Sequence, residues 1–95
     1  MTAYVIVDIE VNDPEGYKEY AKLAPDTVKL YGGKYIARGG QNETLEGEWQ
    51  AKRLVILEFP SVEQAKNWVN SPEYAPIRAM RHKYAHSNMV VVEGV

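Results

Sequence analysis

Two carboxylates and two arginines are the side chains of this sequence whose types suit a reactive or ligand-binding site. Asp8 and Glu58 each interrupt an apolar run that has the composition of a β-strand, whereas Arg38 and Arg78 occur in other segments. If Asp8 and Glu58 lie on adjacent strands near the same end, their two carboxylates are close and can act as general acid and base. An arginine beside them would bind an anionic substrate group through paired hydrogen bonds. The structural alternative is that each carboxylate pairs with an arginine and joins the sheet to a helix.

Tyrosines form the second group of candidates, because seven tyrosines accompany a single phenylalanine. A buried tyrosine hydroxyl needs a hydrogen-bond partner, so a core that requires only bulk gains nothing from it. One hypothesis is a mostly apolar pocket between helices and sheet, walled by Tyr20, Trp68 and Tyr74 with Tyr17 beside them. The other hypothesis is that these rings form amphipathic helix faces and the rim of a dimer interface.

Sites that depend on metals, cofactors or covalent nucleophiles find little support in the sequence. No cysteine is present, which excludes disulfides, thiolate metal sites and a cysteine nucleophile. His82 and His86 are four residues apart but lack a third ligand, so we interpret both as part of a solvated helix end. The glycine pairs at 32–33 and 39–40 do not have the spacing of a phosphate-binding loop. We therefore predict neither a metal nor a cofactor.

The overall composition predicts one domain, residues 1–95. The net charge is -2 and the charges of both signs are interspersed, which argues against a nucleic-acid partner. The N-terminal apolar run has no basic segment before it and is interrupted at Asp8, which argues against a signal peptide or a membrane span. The expectation is a soluble, cytoplasmic protein.

The hydrophobic periodicity predicts six main elements in the order strand, helix, strand, strand, helix, strand. The predicted strands are residues 3–11, 34–39, 52–59 and 89–93, with a further short strand possible within 43–49. Asp13 and Pro14 begin the first helix, Pro25 predicts a kink or break in it, and a glycine pair at 32–33 ends it. A capping box at 61–64 begins the second helix, which is broken at 70–72, and residues 86–88 are predicted to turn the chain.

This order of elements predicts a ferredoxin-like α+β sandwich, βαββαβ, with a four-stranded antiparallel sheet and both helices on one face. Right-handed crossovers place the first and third strands in the centre. The strands around 5–7, 54–57 and 90–92 are apolar on both faces, although the helices cover only one. The sequence therefore predicts a homodimer in which the two sheets pack face to face.

The order of short motifs along the chain also resembles a known family. These motifs are the strand 4–10, Tyr17-x-x-Tyr20, Tyr31-Gly32-Gly33-Lys34-Tyr35, Arg38-Gly39, Arg53 to Ser61, Ala65-x-x-Trp68, Ser71-Pro72-Glu73-Tyr74, Arg78 and Val92-Glu93-Gly94. Together they resemble the DUF1330 family of the dimeric α+β barrel superfamily, over nearly the whole chain. The resemblance implies a ferredoxin-like monomer and a dimer whose two sheets form a barrel. It implies no activity, although the wider superfamily includes cofactor-free monooxygenases, haem-degrading enzymes and lactone isomerases.

Two functions follow from these observations. The first is binding of a small organic molecule, with or without cofactor-independent turnover, in a tyrosine-rich cleft. In that hypothesis Asp8 or Glu58 is the acid, base or anchor, and Arg38 and Arg78 orient the substrate between the aromatic walls. The second is a non-catalytic module that associates only with itself and whose carboxylates and arginines are structural.

Overall fold

The computed structural model describes all 95 residues as a four-stranded antiparallel sheet with helices packed on it. The elements are β1 (Ala3–Val11), α1 (Pro14–Leu30), β2 (Lys34–Arg38), β3 (Arg53–Phe59), α2 (Val62–Val69), α3 (Ala75–Tyr84) and β4 (Ala85–Glu93). The strand order β2–β3–β1–β4 makes the first and third strands central, which confirms the predicted ferredoxin-like arrangement. None of the helices is long and apolar enough to cross a membrane.

The two faces of the sheet differ in what covers them. On the inner face, which faces the helices, alternate residues of β1 and β3 are buried and share a core with Trp68 of α2. On the outer face, Ile6 and Ile56 stay partly exposed and Val90 is 57% exposed. The apolar outer face that the sequence predicts is therefore present, and no helix covers it.

Helix α1 begins as predicted but continues through Pro25. Asp13 caps the helix by accepting a hydrogen bond from the Gly16 amide at 3.2 Å. Because proline has no N–H, Pro25 leaves the Ala21 carbonyl without its usual donor four residues on. The guanidinium of Arg38 donates to that carbonyl at 2.7 Å, so a side chain from β2 replaces the missing bond. Of the predicted kink or break near residues 23–24, the break is wrong, since α1 is one continuous helix.

Strand β2 contains a β-bulge that changes which face its side chains occupy. Tyr35 pairs with Leu57 and Ala37 with Ile56, so one extra residue, Ile36, lies between them. Simple alternation predicts that Tyr35 and Arg38 point to opposite faces. The extra residue instead turns Arg38 to the inner face beside Tyr35, because a shift of one residue reverses the side-chain direction.

Three local predictions are wrong. Residues 86–88 belong to β4, which starts at Ala85 immediately after α3, so His86 lies in a strand and not at a helix end. Residues 43–49 form no strand and belong to the long connection 39–52. Ser61 caps α2 by accepting from the Gln64 amide, but the Gln64 side chain donates to the carbonyl of Tyr31 and does not reach back.

Candidate functional site

A narrow cavity of about 20 Å³ lies between α1 and the inner face of the sheet. This volume accommodates about one water molecule. Its lining combines aliphatic side chains with three tyrosines and two arginines. The residues are Val7, Ile9, Tyr17, Tyr20, Ala21, Ala24, Tyr35, Arg38, Arg53, Val55, Leu57, Trp68 and Met89. We call this cavity, together with the residues that line it, the α1 cleft.

Arg38 stands at the mouth of the α1 cleft because of two features of the backbone. The bulge in β2 turns its side chain inward, and Pro25 leaves the Ala21 carbonyl free to accept its hydrogen bond. Its guanidinium carbon also lies 4.6 Å from the centre of the Tyr35 ring, a cation–π distance. The Arg38 residue remains exposed, so its other N–H groups can reach a ligand.

Arg53 lies on the strand next to Arg38, at the start of β3. Its Nε donates to the Tyr17 hydroxyl at 3.2 Å, and its guanidinium lies 5.5 Å from the centre of the Tyr17 ring. Gly39, whose φ is +71°, approaches the same guanidinium so closely that a side chain there would overlap with it. Gly39 thus has two roles: it adopts the positive φ of the turn after β2, and it leaves room for the guanidinium of Arg53.

Three polar residues extend from the cleft into the core. The hydroxyls of Tyr20 and Tyr74 are 2.7 Å apart, and Arg81 Nη1 donates to the Tyr74 hydroxyl at 3.1 Å. Tyr74 is completely buried and Arg81 is 4% exposed. Only Tyr20 of the three lines the cavity, so Tyr74 and Arg81 lie behind it.

The hydroxyls of Tyr20, Tyr35 and Tyr74 stay protonated at neutral pH because their pKa values are raised. Burial raises the pKa of Tyr20 and Tyr74 above the usual value for tyrosine. Burial likewise raises the pKa of Tyr35 to about 12. Protonated hydroxyls and guanidinium groups can both donate hydrogen bonds to a ligand.

The arginines of this chain are not neutralised by carboxylates. All three salt bridges are made by lysines, namely Lys18–Glu15, Lys22–Glu19 and Lys34–Glu58. The arginines instead donate to neutral oxygens or nitrogens, as in the bond from Arg38 to Ala21. No acidic residue lines the α1 cleft. The two arginines of the cleft therefore have no carboxylate among the lining residues and form no salt bridge.

The structure brings some of the predicted site residues together and separates others. Tyr20, Arg38 and Trp68 all line the α1 cleft, and Tyr74 lies directly behind Tyr20. Trp68 is 1% exposed and donates its indole N–H to Thr27 at 3.0 Å. Arg78 lies outside the cleft and donates to the Val69 carbonyl at 2.9 Å, which ties α3 to the end of α2.

The expected proximity of Asp8 and Glu58 is wrong. In the antiparallel register Tyr4 pairs with Glu58 and Asp8 with Leu54, so the two carboxylates are four residues apart along the strands. That separation corresponds to about 13 Å at the usual rise per residue. Both side chains also lie on the outer face, since their neighbours in the alternation are the buried residues of the inner face.

Each of these carboxylates has partners within the protein. Asp8 accepts from the Trp49 indole at 2.8 Å and from the Lys52 amide at 3.0 Å, which anchors the connection 39–52 to the sheet. Glu58 forms an ion pair with Lys34 at 3.2 Å. These bonds are structural, but they differ from the predicted alternative in two ways. The partners are an indole, an amide and a lysine instead of arginines, and none of the bonds joins the sheet to a helix.

Sequence reasoning did not select Tyr35, Arg53 or Arg81. Period-two alternation from Val55 and Leu57 does place Arg53 on the inner face, so a signal for it was available. Tyr35 needed its pairing with Leu57 on β3, and Arg81 needed the packing of α3 against α1. Neither of these follows from local pattern.

Comparison with known structures agrees with the fold. A protein of unknown function from Rhodopseudomonas palustris is 18% identical, with a TM-score of 0.78 over 99% of this chain and 82% of that one. A dimeric ferredoxin-like protein of unknown function from Jannaschia sp. CCS1 is 12% identical, with a TM-score of 0.72 over 99% of this chain and 100% of that one. SnoaB, a cofactor-independent oxygenase from Streptomyces nogalater, is 10% identical, with a TM-score of 0.64 over 99% and 92%.

Comparison with curated protein sequences finds no match. The sequence does match a protein family over residues 2–95, nearly its whole length. That family is described as a domain of unknown function, DUF1330, and it is the family that the sequence motifs resemble. The chain therefore belongs to the DUF1330 family.

Proposed function

We propose that the protein binds a small organic anion in the α1 cleft, with its charged group between Arg38 and Arg53. One observation carries this proposal: the polar side chains that line the cleft, two arginines and three tyrosines, can all donate hydrogen bonds, and no carboxylate lies among them. Arginine pairs with carboxylates through charge-assisted bonds about twice as strong as neutral ones. A small carboxylate or phenolate supplies the acceptors that the cleft lacks.

The depth of the cleft limits how such an anion binds. The cavity of about 20 Å³ holds no more than one water, so a ligand enters by moving side chains at the mouth. Arg38 is the group best able to move, because it is exposed and its single hydrogen bond is to the Ala21 carbonyl. In this proposal Arg38 releases that carbonyl and closes over the ligand, whose apolar part contacts Val7, Ala24 and Leu57.

Binding is a better supported function than acid–base turnover. No aspartate, glutamate or histidine lines the α1 cleft, so no side chain there is a base at neutral pH. Asp8 and Glu58, for which the sequence suggested catalysis, face the other side of the sheet and are hydrogen-bonded. We propose that both are structural. The structurally similar SnoaB is described as a cofactor-independent oxygenase, so turnover without a cofactor is the catalytic alternative, by analogy of fold alone.

Calorimetric titration with benzoate and benzamide tests the proposed binding, because the two ligands share a shape and differ in charge. Benzoate is expected to bind and benzamide to bind at least tenfold more weakly. Arg38→Gln and Arg53→Gln are each expected to weaken benzoate binding by about tenfold or more, the usual effect of losing a hydrogen bond to a charged group.

Lys66→Gln is the matched control, since it removes the same charge from an exposed position on α2. Its affinity for benzoate is expected to equal that of the wild type. Equal binding of benzoate and benzamide, or an equal loss in the Lys66→Gln variant, would contradict the proposal.

The outer face supports a second proposal, that the protein forms a homodimer through it. Apolar side chains of all four strands remain exposed or partly exposed there: Tyr4, Ile6, Ile36, Leu54, Ile56, Val90 and Val92. A contiguous apolar sheet face is unusual on a monomer. The structurally similar protein from Jannaschia sp. CCS1 is described as dimeric, which supports the proposal of a dimer here.

Analytical ultracentrifugation of Val90→Lys tests the dimer. Val90 is 57% exposed within one chain, so a lysine there fits the monomer but places a charge in the proposed interface. The variant is expected to sediment as a monomer where the wild type sediments as a dimer. Leu30→Lys, at a 63% exposed position on α1, is expected to remain dimeric. A monomeric wild type would contradict the proposal.

The non-catalytic self-association module remains the second candidate function. It is favoured by the structural bonds of Asp8 and Glu58 and by the apolar outer face. The two candidates differ in the α1 cleft: the benzoate titration separates them, because a module that binds only itself has no affinity for the anion.

A further inference from the structure

Arg81 is a buried cation without a counterion. It is 4% exposed, and no carboxylate lies within 4.0 Å of its guanidinium. Nη1 donates to the Tyr74 hydroxyl at 3.1 Å and Nη2 lies 3.2 Å from His82 Nε2, whereas Nε has no partner. A buried charge with so few partners is costly, so its position calls for an explanation beyond packing.

The donors of Arg81 determine the direction of the hydrogen bonds that lead from it to the cleft. Arginine has no acceptor, so the Tyr74 oxygen must accept from it. Tyr74 is completely buried, and its one proton finds an acceptor in the Tyr20 oxygen, 2.7 Å away. The opposite direction would leave the Tyr74 proton unpartnered in the core. The Tyr20 oxygen thus accepts from Tyr74, and the proton of Tyr20 is free to point into the cavity that Tyr20 lines.

We infer that Tyr20 is the inner hydrogen-bond donor of the α1 cleft and that Tyr74 and Arg81 are positioning residues that hold its proton toward the ligand. This inference rests on the proposed anion binding and specifies the ligand class. The ligand is an organic anion with a second acceptor oxygen, a carbonyl or an oxyanion, at its inner end. The buried charge of Arg81 adds to this preference, because it favours negative charge on the oxygen that Tyr20 contacts.

The hydroxyl of Tyr17 is also oriented by an arginine. Arg53 donates to the Tyr17 oxygen at 3.2 Å, so the proton of Tyr17 is also available. The rings of Tyr17 and Tyr20 are 5.3 Å apart, which places two oriented hydroxyls on the same wall. Only the inner hydroxyl has a buried cation behind it, and the inner hydroxyl therefore sets the selectivity for the second oxygen.

Paired ligands test the inner donor. The 3- and 4-acetylbenzoates carry an acceptor carbonyl, and the 3- and 4-isopropylbenzoates have the same shape without it. Calorimetry is expected to show at least one acetyl isomer binding about fivefold more tightly than its isopropyl partner, the usual worth of one neutral hydrogen bond. Tyr20→Phe is expected to abolish that preference, so that no acetyl isomer binds more tightly than its isopropyl partner, and Tyr74→Phe is expected to reduce it.

Tyr31→Phe is the matched control, because its hydroxyl bonds to Glu73 away from the cleft. The acetyl preference is expected to survive in this variant. Acids that bind without any acetyl preference, yet are lost in Arg53→Gln, would overturn the inner donor and leave the anion site standing. Failure of every acid to bind wild type would overturn the proposed function itself.

A ligand-free measurement tests the direction of the bonds separately. In mixed H₂O and D₂O, the ¹³Cζ signal of a tyrosine splits when its hydroxyl proton exchanges slowly. Tyr74 is expected to show the splitting, because its proton is buried between two oxygens, and Tyr20 to show a single averaged signal. A split Tyr20 signal with an averaged Tyr74 signal would show the reverse direction and overturn the inference.

Discussion

The inner and outer faces of the sheet hold opposite kinds of polar side chain. On the inner face, the α1 cleft contains arginines and tyrosines, and its cationic groups have only neutral partners. On the outer face, the carboxylates of Asp8 and Glu58 are tied to an indole, an amide and a lysine. The contrast shows that acidic residues within an apolar strand do not by themselves mark a site. Polar groups whose charge is not compensated are the better guide.

The largest expected effect is on the free energy of unfolding, which depends more on buried residues of the inner face than on residues of the outer face. Leu57, which is 2% exposed on the inner face, is expected to lose about 2–5 kcal/mol of unfolding free energy on substitution by alanine, at any protein concentration. Its neighbour Ile56 is only partly buried within one chain, so Ile56→Ala is expected to cost less in a monomer. Urea denaturation at several protein concentrations measures the loss of unfolding free energy in both variants. A concentration-independent cost for Ile56→Ala equal to that of Leu57→Ala would contradict the difference between the faces.

The next effect concerns the buried hydroxyl of Tyr74. Tyr74→Phe removes the only oxygen that accepts from Arg81 Nη1, and an unpartnered buried donor costs about 1–3 kcal/mol. Chemical denaturation is expected to show a loss in that range. Tyr31→Phe, which removes a hydroxyl bonded to the exposed carboxylate of Glu73, is expected to cost less. Equal losses in the two variants would indicate that Arg81 does not depend on Tyr74.

A double-mutant cycle tests the replacement of a helix bond by Arg38. Pro25→Ala restores an N–H that can donate to the Ala21 carbonyl, so Arg38 loses its role there. Arg38→Gln is therefore expected to destabilise the wild type more than it destabilises the Pro25→Ala background. The expected coupling is about 0.5–1.5 kcal/mol, measured by urea denaturation of the four proteins. Strict additivity would show that the two residues act independently.

A smaller effect is expected for the ion pair of the outer face. Glu58→Gln removes a pair whose lysine is largely exposed, so it is expected to cost less than about 1 kcal/mol. Benzoate affinity is expected to be unchanged in this variant. A loss of binding would instead support the anchoring or catalytic role that the sequence suggested for Glu58.

The smallest effect is a pH dependence from His82. Desolvation, and then the charges of Arg81 and Arg78, lower the pKa of His82 below its usual value. As the pH falls below about 6.5, the unfolded chain takes up this proton before the folded protein does, so stability decreases. His82→Gln keeps an acceptor for Arg81 and is expected to reduce that decrease. If stability between pH 7 and 5 changes equally in His82→Gln and in the wild type, His82 does not cause the decrease.

The sequence predicts the fold well because its signals are local and repeated. Alternation in β1, the cap at Asp13 and the glycine after α1 each indicate an element, and their order leaves few topologies. Gly32 has the left-handed conformation expected for one glycine of the pair, with φ +80°. The antiparallel order of β1 and β3 also implies that Asp8, late in its strand, lies opposite the beginning of β3. The sequence and the predicted strand order are therefore sufficient to show that Asp8 and Glu58 lie far apart.

The site is harder to predict because it depends on irregular features. The bulge at Ile36 has no glycine to mark it, yet it decides the face that Arg38 occupies. The bond between Arg38 and the Ala21 carbonyl needs Pro25 and a distant strand together. Arg81 becomes part of the site only through the contact between α1 and α3. Side chains such as Tyr20 were identifiable by type, but their partners required three-dimensional packing.

Anion binding in the α1 cleft is tested most directly by mapping backbone and arginine Nε chemical shifts during titration with benzoate. We expect the largest changes at Tyr17, Arg38 and Arg53, on the inner face. Signals of Ile6 and Glu58, on the outer face, are expected to change little. Changes concentrated on the outer face, or none at saturating benzoate, would contradict the assignment of the α1 cleft as an anion-binding site.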